Sequence, residues 1–159
     1  DDSRRASLLA LRAWVYSYLG RVQEGLRDIE EQRKLRARMG LFETKVYSTL
    51  LSKAGRHAEA ITVLNEAIDN EQSDTAKATV LAARASIFSR SMNHDAALRD
   101  LEQAITIDPN FTAAWQEYGN ELDYVGRHEE ALVAIDKAIA FDPDLGVRHH
   151  FRAWTLTAL

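Results

Sequence analysis

The sequence predicts an all-α array of stacked helix pairs, and three observations carry that prediction. Ala97, Ala104 and Pro109 recur 34 residues later as Ala131, Ala138 and Pro143. A fixed period of that length marks a solenoid in which each helix pair buries its apolar face against the next. Amphipathic stretches meet at Gly20, Gly55 and Gly126, each followed by arginine, and glycine takes the left-handed backbone that ends a helix. Finally, two prolines and seven glycines in 159 residues, with 46% hydrophobic residues, suit helices better than turn-rich β structure.

The bulk numbers narrow the function classes. With no cysteine, disulfide frameworks and thiolate chemistry are excluded, which fits a reducing, cytoplasmic setting. The net charge of −4 hides an imbalance: residues 1–56 carry twelve cations and seven anions, whereas residues 57–159 carry eight and seventeen. Such polarity can orient a charged partner. No apolar run reaches the ~18 residues of a membrane span, and the first residues lack a signal-peptide layout. The missing initiator Met reads as a processed chain or an excerpt without its targeting segment.

Taken in order, the units are expected at about 6–40, 41–77, 78–111 and 112–145, with a trailing helix at 146–159. Each is read as helix, tight turn, helix. Met92-Asn93 occupies the turn of the third unit, where the others have Gly-Arg. Acids follow at the start of the second helices (Glu24, Glu59, Asp95, Glu129, Glu130), complementing the positive end of the helix dipole. The extra residues between the second and third units fall around Glu71 to Thr75, where polar, cap-forming residues make a longer loop inexpensive. Small residues at helix crossings permit close approach. Ile29, Leu64, Leu101 and Ile135 on second helices, and Tyr16, Leu51, Phe88 and Leu122 on first helices, are expected to fill the space between. In the first unit Gln32 stands where the others have alanine, and a second helix running through Arg38 is expected there.

The pattern Trp115, Gly119, Ala131, Ala138, Pro143 resembles the tetratricopeptide repeat, with Tyr118 in place of the leucine before the glycine and Leu122 in place of the tyrosine. The resemblance implies a right-handed superhelical solenoid of antiparallel helix pairs, whose first helices line a concave groove receiving an extended peptide or a helix. Carried over position by position, it implies groove residues Trp14 and Tyr18 in the first unit, and Lys45, Thr49 and Lys53 in the second. The third supplies Ser86 and Arg90; the fourth supplies Gln116, Asn120 and Tyr124; the trailing helix supplies His150 and Trp154. The middle of that set suits an acidic or phosphorylated peptide, while Gln116 and Asn120 can pair with a peptide backbone.

The clamp by which some members of the family hold the acidic C-terminal tail of heat-shock proteins is absent. Starting from Lys45, the chain supplies Thr49, Ala83, Ala113 and Glu117 at the remaining clamp positions, and Glu117 would repel a carboxylate. His57, His94 and His128 all enter second helices about one helix pair apart, too far to share one metal ion, so no metal or other cofactor is expected. No glycine-rich phosphate loop or nucleophile elbow occurs, so the chain reads as non-catalytic. The Arg33, Lys34, Arg36, Arg38 cluster reads as a solvated helix end, and the acidic total argues against nucleic acid.

The expected function is a protein–protein interaction scaffold with an unidentified protein or peptide partner, either free-standing or as the regulatory or targeting part of a larger protein. The alternative is self-association through Phe151, Trp154, Leu156 and Leu159, apolar residues spread around the trailing helix.

Overall fold

The computed structural model describes residues 1–35, 38–142 and 155. Among the described residues every regular element is an α-helix: α1 (Asp2–Tyr18), α2 (Val22–Leu35), α3 (Leu41–Lys53), α4 (His57–Asn70), α5 (Asp74–Arg90), α6 (His94–Ile107), α7 (Thr112–Tyr124) and α8 (His128–Phe141). They form two compact units, residues 1–70 and 71–159. In the first, α1 pairs with α2 and also touches α3, α2 packs on α3, and α3 pairs with α4. In the second, α5 pairs with α6 and reaches α7, α6 packs on α7, and α7 pairs with α8. The helices pair antiparallel in the manner of a helical repeat.

Each pair turns in a similar way because one residue in each turn adopts a left-handed backbone. Gly20, Gly55 and Gly126 have φ of 73°, 77° and 81°. The next amide then reaches back to the last full turn: Arg21 N–H donates to Tyr16 O (3.0 Å), Arg56 N–H to Leu51 O (2.8 Å) and Arg127 N–H to Leu122 O (2.9 Å). These bonds satisfy carbonyls the helix end would otherwise orphan. Met92 does the same work at φ 60° without glycine's freedom, and Asn93 N–H reaches Phe88 O at 2.9 Å. A side chain there is strained by ~1–2 kcal/mol. Met92→Gly is therefore expected to raise stability by about 1 kcal/mol, read as a shift of the urea midpoint without a change of slope.

The arginine after each glycine folds onto the acid three residues on. Arg21 pairs with Glu24 (2.9 Å), Arg56 with Glu59 (2.6 Å) and Arg127 with Glu130 (2.7 Å). Hydrogen bonds from the guanidinium hold all three carboxyls below their ordinary values.

The small residues lie where helices cross. Ala60, Ala97, Ala104 and Ala131 are fully buried and Ala138 nearly so, while Ala67 is half-buried. A Cβ built on Gly25 of α2 would come 2.8 Å from Leu50 Cδ2 of α3, and one on Gly119 of α7 would come 2.8 Å from Ile135 Cγ1 of α8. Ile29, Leu51, Leu64, Leu101, Leu122 and Ile135 fill the core as expected; Tyr16 and Phe88 stay half-buried. Around Leu98, Leu122, Ala131 and Ala134, the rings of Trp115 and Tyr118 close the second unit's core.

Two expectations need correction. The second helix of the first pair does not run through Arg38: α2 ends at Leu35, and Arg38 lies in a bend, donating from Nη2 to Asn70 O (3.1 Å) at the end of α4. A cation there meets the negative helix terminus. The polar stretch 71–75 is not all loop either. Ser73 caps α5 by accepting from Ala76 N–H (3.4 Å), so Asp74 and Thr75 form the helix's first turn. Pro143 and the whole trailing helix except Thr155, including Phe151, Trp154, Leu156 and Leu159, lie outside the described residues.

Candidate peptide-binding surface

In the first unit, α1 carries Trp14 and Tyr18 one turn apart, so their rings meet edge to face, centroids 5.0 Å apart at 72°. Both remain open to solvent, 42% and 74% exposed. That is large apolar area held at low conformational cost, because each ring stiffens the other. On α3, Lys45 is exposed and Thr49 half-buried. Lys53 behaves differently from the sequence reading: its Nζ donates to Ser17 O (2.5 Å) in the last turn of α1. It ties α3 to α1 and satisfies an end carbonyl, so part of its charge is spent inside the fold.

In the second unit, Ser86 of α5 donates to Glu117 Oε2 of α7 (3.3 Å), bringing the first helices of the two pairs together. Arg90 is exposed and Gln116 half-buried. Asn120 has a buried Oδ1 that finds no hydrogen-bond partner among the described residues. Tyr124, 64% exposed, lies over the ring of His94 with centroids 4.5 Å apart. His150 and Trp154 lie outside the described residues.

Beneath Tyr124 sits a pair that sequence reasoning passed over. His94 Nδ1 of α6 is hydrogen-bonded to Glu121 Oε1 of α7, and Glu121 is only 7% exposed. The signal was present in the register: Glu121 stands where the other first helices have Val15, Leu50 and Ile87. An acid at an apolar position needs a buried partner. The other two histidines of the series have partners of their own, His57 with Ser52 Oγ (3.3 Å) and His128 with Asp123 Oδ1 (2.8 Å). Among the described residues no three His, Asp or Glu side chains gather as a metal site, and no helix is long and apolar enough to cross a membrane.

Tyr118 supplies a second polar link between α6 and α7. Its hydroxyl donates to Glu102 Oε1 (2.8 Å), and burial together with that bond pushes the phenol up to about 12. The raised value favours the neutral form in the folded chain. The stability it contributes is therefore present below the ordinary phenol value near 10 and is lost as pH rises through about 12. Ultraviolet titration of phenolate should show a tyrosine ionising near pH 12, and Tyr118→Phe should remove that step.

Comparison with known proteins agrees with this architecture. The family model described as tetratricopeptide repeat matches residues 78–111 and 112–145. The small glutamine-rich tetratricopeptide repeat-containing protein 2 of Mycosarcoma maydis is 42% identical over 60 residues, 38% of this chain and 17% of that protein. The Hsp70-Hsp90 organizing protein of Triticum aestivum is 25% identical over 126 residues, 79% of this chain and 21% of that protein. The chain thus spans about a fifth or less of the length of these relatives. Among solved structures, the thermophilic tetratricopeptide repeat protein TTC0263 of Thermus thermophilus superposes with a TM-score of 0.82 at 20% identity, covering 96% of this chain and 81% of that one. YrrB, described as a tetratricopeptide repeat protein with an unusual peptide-binding site, does so with a TM-score of 0.70 at 20% identity, covering 96% and 76%. The matched repeats place residues 78–145 in the tetratricopeptide repeat family, and the helix pairs of residues 1–70, with the same left-handed turns and buried small residues, follow the same plan.

Proposed function

We infer that this chain is a non-catalytic interaction module that captures an extended peptide or a helix of a partner protein on its first helices. Tetratricopeptide repeats are generally protein–protein interaction modules; the location and chemistry of binding are our reading. The observation that carries it is the Trp14–Tyr18 pair, two solvent-open rings braced edge to face on α1. Rigid aromatic anchors of this kind dominate binding energetics. With Lys45 exposed on α3, the first unit favours a ligand with an apolar side chain and acidic neighbours. In the second unit, Gln116 and Asn120 supply amides for a peptide backbone, and Tyr124 and Arg90 form its rim. By the repeat frame 6–40, 41–77, 78–111 and 112–145, Trp14, Tyr18 and Lys45 belong to the binding face of the first compact unit, and Arg90, Gln116, Asn120 and Tyr124 to that of the second.

One relative is named for organising Hsp70 and Hsp90. The residues at the clamp positions, Thr49, Ala83, Ala113 and Glu117, argue for a different ligand here, in a cytoplasmic setting. Selection of a random-peptide library on the full chain tests the proposal. The synthetic peptide that emerges should lose at least about tenfold in affinity on Trp14→Ala, and again on Lys45→Glu. Binding unaffected by Trp14→Ala, Tyr18→Ala, Asn120→Ala and Tyr124→Ala combined would remove this surface as the site.

A further inference from the structure

The rings of Trp14 and Tyr18 meet at 72° with centroids 5.0 Å apart, so they form an open corner on α1 rather than a flat wall. The register of Tyr18 is open on the other first helices too, where Lys53, Arg90 and Tyr124 are exposed. On α3, Phe42 is 42% exposed. It lies one turn before Lys45, with Thr49 one turn beyond, so the three share a helix face. The polar groups among these rings are rich in donors and poor in acceptors. The Trp14 indole N–H and the Lys45 ammonium can only donate, and the Tyr18 and Thr49 hydroxyls can do either. None of the residues that the repeat frame assigns to this face on α1 and α3 is acidic.

We propose that the first unit binds a proline-rich segment in the polyproline II conformation, with acidic residues beside the prolines. The proposal rests on the peptide-binding reading above and names its ligand. An ordinary extended peptide brings one N–H for every carbonyl, and each donor left unpaired on binding weakens the complex. Proline brings the carbonyl without the N–H, so each proline removes a donor for which this face offers only two hydroxyls. The pyrrolidine ring fits the corner between Trp14 and Tyr18 as prolines fit other aromatic-lined grooves. A polyproline II backbone is also largely fixed before it binds, which lowers the ordering cost. Trp14 Nε1–H then donates to a ligand carbonyl, and Lys45 pairs with a ligand carboxylate.

The test titrates the full chain with a labelled, amidated peptide of four Pro-Pro-Glu repeats, read by fluorescence anisotropy. Saturable binding is expected, weakened about tenfold or more by Trp14→Ala. Trp14→Phe, which keeps a ring and loses the N–H, should weaken it about threefold. A peptide of four Ala-Ala-Glu repeats, equal in length and charge, should bind at least about tenfold more weakly. A circular-dichroism melt checks that the variants stay folded. Absence of saturable binding, equal affinity for the alanine peptide, or indifference to Trp14→Ala overturns the proposal. The random-peptide selection separates this failure from failure of the reading beneath it. Selected peptides that lose affinity on Trp14→Ala yet contain no proline would remove the proline ligand and keep the surface. Selected peptides indifferent to both Trp14→Ala and Tyr18→Ala would remove both.

Discussion

Arg84→Met is expected to destabilise the protein by about 3 kcal/mol, the cost of stranding one half of a buried ion pair. Arg84 of α5 meets Asp100 of α6 through two parallel bonds, Nε to Oδ2 and Nη2 to Oδ1, both 2.7 Å. The side chains are 20% and 8% exposed, so methionine would leave the Asp100 carboxylate desolvated without its partner. Adding Asp100→Leu should recover most of the loss, because an apolar pair of similar volume removes the desolvation cost as well as the attraction. Urea unfolding of the two single variants and the double closes a thermodynamic cycle. A single-variant loss within about 0.5 kcal/mol would mean the pair stabilises no more than a surface bridge. The same geometry joins Arg12 and Asp28, and the bond holds the Arg12 guanidinium above its ordinary value. Because Arg12 is 57% exposed, water screens that pair more and Arg12→Met should cost less than Arg84→Met.

Gln32→Met should act in the opposite direction and stabilise the chain by about 2 kcal/mol. Gln32 is 1% exposed on α2, and neither its Oε1 nor its Nε2 finds a hydrogen-bond partner among the described residues. Methionine keeps the length and flexibility of the side chain while removing two unsatisfied polar atoms. Alanine, the residue at the equivalent places Ala67, Ala104 and Ala138, should gain less, since it leaves a void. Thermal melts of the three chains would rank them. An unchanged or lower midpoint for the methionine variant would show that Gln32 has partners in the folded protein.

How far these features were legible follows from the range of the physics involved. Turn geometry is local: a glycine with its neighbours decides a left-handed helix end, and even Met92 could be placed from register alone. The small residues were legible because Ala97 and Ala131 repeat at a period that only stacked pairs require. Pairings between helices were harder. Arg12 with Asp28 and Arg84 with Asp100 are each 16 residues apart, a recurrence visible in the sequence, yet its meaning depends on two helices facing each other. Lys53 looked like a free groove cation, and only its reach to Ser17 O gave it a structural role. Arg38 looked like the end of a long helix because nothing local stops it; its place is set by Asn70, 32 residues on.

The sequence by itself determined an all-α array of repeated helix pairs that resembles the tetratricopeptide repeat, because period, turn glycines and small residues at helix crossings are encoded within single units. The tertiary structure alone decided which polar side chains act within the fold and which remain for a partner. That division depends on which helix faces cover one another, so Glu121 is spent on His94 and Lys53 on Ser17. Trp14 and Tyr18 stay open beside Leu8, Leu11 and Val15, whereas Val46 and Leu50 of α3 and Ala114 and Glu121 of α7 are buried.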